Sequence, residues 1–135
     1  MLFRSEHVVP LPTQAIEMLR RLHAISGERT HIFPGRDDRN RPMSVHSIRQ
    51  ALKVLGWSGT YSPHGTRTTG STRLNEMGYR PDAIEAQLAH AEPNSVRRTY
   101  NHATYLEERR DMMQAWADKL ELWKRESTGE VSRTQ

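Results

Sequence analysis

The stretch Ser62-Pro63-His64-Gly65-Thr66-Arg67, followed by Leu88-Ala89-His90 and then by Tyr100, decides how this chain is read. Serine before proline is a helix opening: a hydroxyl to cap free amides, then a residue whose fixed φ suits the first helical turn and whose missing N–H costs nothing there. The spacing predicts a helix from Ser62 to Met77, closed by Gly78. His64 falls in its first turn and Arg67 one turn on, and residues three apart share a helix face. A guanidinium fork beside one imidazole, a second imidazole at His90 and a phenol ten residues later at Tyr100 form a set suited to phosphate chemistry.

Working outward, Val8 to Leu11 reads as the end of a strand, and Pro12-Thr13 opens a helix with Thr13 as N-cap, Ile16, Leu19 and Leu22 on its inner side, and Gly27 at its end. Residues 36–42 are a polar, charged loop. Ser44 is placed to cap a second helix in which Val45, Ile48, Leu52 and Leu55 recur on one face, with Gly56 as terminator. Pro81 opens a short helix carrying Ile84 and Leu88 inward to His90, and Asn94 caps one that ends near Tyr100. The last helix runs from about Tyr105 to Lys124, with Leu106, Met113, Trp116, Leu120 and Trp123 as its apolar stripe. Beyond Glu126 the polar tail, residues 127–135, reads as disordered.

At 135 residues the chain is one domain. No apolar run approaches the roughly 20 residues needed to cross a bilayer, and no secretory signal is visible, so cytoplasm is the default compartment. Cysteine is absent, which excludes disulfides, thiolate catalysis and cysteine-based zinc sites. The seven histidines show no H-E-x-x-H or other tight ligand spacing, so no metal is expected, and nothing in the sequence calls for a cofactor. A net charge of +4 is compatible with nucleic acid without demanding it.

The ordered set, together with Asn75 to His90, Asn94 to Asn101 and Tyr105 to Arg110, resembles the prophage-integrase branch of the tyrosine recombinases, or phage integrases. His7 to Leu11 and Ile32-Phe33-Pro34 look like its earlier landmarks, so the similarity extends from about Arg4 to Trp123. The resemblance implies a mainly α fold: a truncated tyrosine-recombinase catalytic domain over residues 1–126, helical, with a short residual β-strand or hairpin at its N-terminus. The family's first catalytic arginine falls before residue 1 in this alignment. Leu2 stands at the position of its catalytic lysine, and the upstream DNA-binding domains fall outside these 135 residues.

By the same resemblance, Tyr100 is the nucleophile that attacks a DNA phosphate, His64 its acid–base partner, Arg67 the bidentate phosphate clamp and His90 a hydrogen-bond donor to that phosphate. A free phenol has a pKa of about 10 and needs such help near neutrality. Arg97 and Arg98 are candidate contacts to the DNA backbone, the partner is double-stranded DNA, and the last helix is a candidate for self-association. Thr66 departs from the family's usual aromatic residue in H-G-F-R. Read singly, each group has an ordinary explanation: a surface histidine and arginine, a helix-capping histidine, a packing tyrosine. Tyr105 is the runner-up nucleophile. The expected function is DNA strand cleavage and rejoining, weak or absent in this chain alone. The alternatives are a non-catalytic DNA-binding remnant or regulator with the same fold, and a basic helical protein that binds other partners.

Overall fold

A computed structural model of the chain describes residues 7–89 and 105–129. The described residues are mainly helical: α1 (Thr13–Ser26), α2 (Ser47–Val54), α3 (Gly65–Glu76), α4 (Pro81–Gln87) and α5 (Leu106–Ser127). They fall into two compact units, one of residues 15–69 and the other of Met1–Gln14 with Gly70–Gln135.

The second of these holds the core. Leu74 of α3, Ile84 of α4 and Met112 of α5 are buried against one another, with Tyr79, Leu88 and Trp116 packed around them. α4 forms because Pro81 sits at its first position behind an extended Arg80 (φ −65°, ψ 132°), the conformation that a following proline imposes. Its Ala83, Ile84 and Ala86 all face inward. Trp116 and Trp123 meet edge to face with ring centroids 5.8 Å apart, and the Arg73 guanidinium lies 5.7 Å from the Trp123 ring, tying α3 to α5.

The buried face of α5 is centred on Arg109 and Met112, both with no exposed surface; Arg109 falls inside the expected stripe, between Leu106 and Met113, and Met112 takes the buried place beside Met113. Leu106, Met113, Trp116 and Trp123 are half-buried along its flanks, while Leu120 is 46% exposed. Periodicity assigns an arginine outward by default, and Arg109 overrides it by burying its charge with hydrogen-bond partners. The expected strand at Val8 to Leu11 is not formed. Its Val8 carbonyl accepts a hydrogen bond from Arg109 Nη2 at 2.6 Å instead of joining a ladder. Among the described residues the one β-bridge is Pro34 with Pro42.

In the unit of residues 15–69, α1 ends at Ser26 before Gly27, as expected, but Thr13 does not cap it with an accepted amide hydrogen bond. The Thr13 amide and hydroxyl instead donate to Gln114 Oε1 of α5, at 2.9 and 3.3 Å, within the other unit. α2 begins at Ser47 behind an N-cap at His46, two residues later than Ser44 would place it. Ser44 Oγ accepts from the His46 amide at 3.3 Å and closes a turn ahead of the helix. Gly56 ends the helix segment at φ +83°, a left-handed conformation that suits glycine. Most of the expected apolar face of α2 stays open: Val45, Ile48 and Leu55 are 87%, 52% and 70% exposed, and Leu52 alone of the four is half-buried. None of residues 15–69 is fully buried. The polar loop over 36–42 closes on itself, with the Asn40 amide donating to Asp38 Oδ1 at 3.0 Å and Arg41 paired with Asp38 at 3.4 Å.

Candidate functional site

The approach to α3 is built by local chemistry. Ser62 Oγ accepts from the Gly65 amide at 3.1 Å, the capping hydrogen bond expected of a serine at this position. The Thr66 hydroxyl donates to the Pro63 carbonyl and tightens the same turn. His64 lies in the turn just ahead of the helix rather than inside its first turn. The Arg67 amide donates to the His64 carbonyl at 3.1 Å, so the pair is joined through one turn of backbone. His64 is exposed and Arg67 half-buried.

The charge around this turn is one-sided. No aspartate or glutamate occurs from Arg39 to Asn75, a segment that carries six arginines and lysines and two histidines. The N-terminus of α3 adds the partial positive charge of the helix dipole beside Arg67. His64 and Arg67 thus stand three residues apart at the start of a helix, in a stretch without carboxylates.

The other proposed groups, His90, Arg97, Arg98 and Tyr100, lie outside the described residues, as does the helix expected from Asn94 to Tyr100. Their flanks are described. α4 ends at Gln87, before the expected end at His90, and Ala89 follows in the left-handed region at φ +50°. On the far side Tyr105, the runner-up nucleophile, is held against Arg80. That guanidinium lies 4.8 Å from its ring, donates to its hydroxyl at 3.2 Å and sits 3.8 Å from Glu108.

Sequence reasoning missed Arg109. Its Nε donates to Gln87 Oε1 at 2.9 Å and its Nη2 to the Val8 carbonyl, while Nη1 is buried without a hydrogen-bond partner. Burial pushes its pKa down from the usual arginine value, the direction in which removal from water always moves a cation. Gln87 is the last residue of α4, three before His90, so Arg109 fixes the end of the helix that leads into the second histidine. Charge alone gave no signal of this; only the run Tyr105 to Arg110, quoted for its resemblance, included the residue.

Residues 3–107 match the family model described as the phage integrase family. The chain belongs to that family. It is similar to the prophage integrase IntA of Escherichia coli K12, 48% identical over 118 residues that make up 87% of this chain and 29% of that protein. It is 45% identical to the integrase of Shigella phage Sf6, over 87% of this chain and 31% of that one. With the integrase of Enterobacteria phage P4 the identity is 42%, over 90% and 29%. The chain thus spans about three tenths of the length of these phage integrase relatives. No solved structure matches it. Among the described residues no helix is long and apolar enough to cross a membrane.

Proposed function

We propose that this chain carries catalytic residues of a phage-type integrase, a tyrosine site-specific recombinase acting on double-stranded DNA. The Tyr100 oxygen attacks a backbone phosphorus, its proton passing to a base. The P–O5′ bond breaks, the 5′-oxygen leaves with a proton, and a 3′-phosphotyrosyl bond is formed that the reverse reaction can rejoin. His64 serves as acid or base, Arg67 holds two phosphate oxygens, and His90 donates to the same phosphate. Arg97 and Arg98 hold the flanking backbone. The observation that carries this reading is the capped His64–Arg67 turn, lying in a segment free of carboxylates and inside a family match that also contains His90 and Tyr100.

The experiment replaces the matching segment of a complete family member with this chain and offers it a nicked DNA duplex that traps the covalent intermediate. A protein–DNA adduct should appear on a denaturing gel, vanish in Tyr100→Phe and persist in Tyr105→Phe. The opposite pattern overturns the assignment. We further propose that α5 mediates self-association through its exposed Leu120 and Leu122, checked by the sedimentation of Leu120→Glu. We propose the cytoplasm as its compartment, in keeping with a DNA substrate, which fractionation of expressing cells tests.

A further inference from the structure

Within the unit of residues 15–69 a groove of about 380 Å³ runs between α2 and the turn that leads to His64, lined by Arg49, Lys53, Ser58, Tyr61, Ser62 and Pro63 among others. Arg49 and Lys53 are both exposed and stand four residues apart on one face of an eight-residue helix. Two like charges in that relation destabilise a helix by about 0.2–0.5 kcal/mol.

Elsewhere the chain offsets such charges. Arg73 pairs with Glu76, Arg110 with Glu107 and Arg125 with Glu121, each one helical turn apart. Arg49 and Lys53 have no carboxylate within their helix or anywhere from Arg39 to Asn75, and no ion pair among the described residues. The unit of residues 15–69 concentrates this excess: nine arginines and lysines against four aspartates and glutamates, a net +5 in a chain whose total is +4.

Resting on the DNA reading above, we infer that this groove is a seat for the sugar–phosphate backbone next to the reacting phosphate. Arg49 and Lys53 each take one phosphate, and the hydroxyls of Ser58 and Tyr61 supply neutral hydrogen bonds. The occupant is one strand of duplex DNA. The two α-carbons are separated by about 6 Å along the helix. A DNA strand presents one charge per about 3.4 Å of axis, so two long cationic side chains reach separate phosphates. The groove ends at Ser62 and Pro63, directly before His64. Phosphates held there are neighbours of the one at His64 and Arg67, which gives the groove a positioning role without base reading.

The test measures binding of the purified 135-residue chain to a fluorescein-labelled 30-base-pair duplex across a salt series. Each phosphate contact contributes about 0.9 to the slope of log K against log salt. Arg49→Ala/Lys53→Ala should therefore flatten the slope by about 1.8, making the affinity lost between 50 and 200 mM salt about 12-fold smaller than in the unaltered chain. Arg49→Lys should keep the slope. Lys119→Ala/Lys124→Ala removes the same charge from α5 and should leave the slope unchanged. An unchanged slope in the Arg49/Lys53 variant, or equal flattening in both double variants, overturns the groove while the DNA reading stands. No salt-dependent binding by the unaltered chain overturns the DNA reading and the groove with it.

Discussion

Replacing Arg109 with leucine removes the group that joins three segments of one unit: α5, the end of α4 and the extended Val8. Two charge-assisted hydrogen bonds are lost, each worth about 1.5–3 kcal/mol. Against this stands the relief of burying a cation, a penalty of several kcal/mol that paired groups only partly recover. Here the recovery is incomplete, because Nη1 has no hydrogen-bond partner. The balance is a destabilisation of about 2 kcal/mol, below the roughly 3–5 kcal/mol of a broken buried ion pair because the replacement leaves no unpaired charge behind. For a domain of this size that lowers Tm by about 6–12 °C. A guanidinium keeps its proton across the neutral range, so the effect should be flat from mildly acidic to mildly alkaline pH. The fold disfavours its charged form, so stability rises with pH only where the guanidinium titrates, far above neutrality. Thermal melting is followed by tryptophan fluorescence in a Trp57→Phe background, so that only Trp116 and Trp123, in the same unit as Arg109, report. A double-mutant cycle with Gln87→Ala should return a coupling of about 1–2 kcal/mol. A Tm within 2 °C of the parent (roughly 0.5 kcal/mol at this size), or zero coupling, would refute the claim that Arg109 clamps the end of α4.

Gly70 sits inside α3 with open space where a Cβ would stand, so Gly70→Ala should raise stability by about 0.5–1 kcal/mol in urea unfolding; a loss would show that the position needs its glycine. Ser62→Ala deletes the cap on Gly65 and should cost about 1 kcal/mol by the same measurement, whereas a cost below 0.3 kcal/mol would mean that water caps the turn as well as the hydroxyl does. Ala89 holds φ at +50°, where a Cβ costs about 1 kcal/mol, so Ala89→Gly should stabilise the protein by about 0.5–1 kcal/mol; destabilisation would contradict the left-handed turn before His90.

What the sequence made legible is what a few neighbouring residues decide. Ser62 caps α3 because its oxygen reaches an amide three positions away, Pro81 starts α4 because its own ring fixes φ, and Gly56 and Gly78 follow their helices because they take left-handed turns. Burial is decided by partners distant in sequence, and there the reading failed in both directions. The face of α2 that repeats like a core helix finds cover only at Leu52, whereas an arginine on α5 is enclosed because Gln87 and the Val8 carbonyl arrive to receive its protons. Val8 shows the same cause from the other side: a β-prone run becomes a strand only if a ladder partner reaches it, and the acceptor it offers was taken by a guanidinium. The site divides along the same line. The turn joining His64 to Arg67 is local, and it was readable down to its capping serine. Convergence of that turn with His90 and Tyr100 is the long-range part of the proposed site that spacing alone cannot dictate, and the proposal draws it from the match to the phage integrase family. Arg49 and Lys53 escaped notice because neither belongs to a motif. Their weight comes from what is missing around them, a carboxylate on the same helix face, and such an absence becomes visible only after the helix and the groove beside it have been placed.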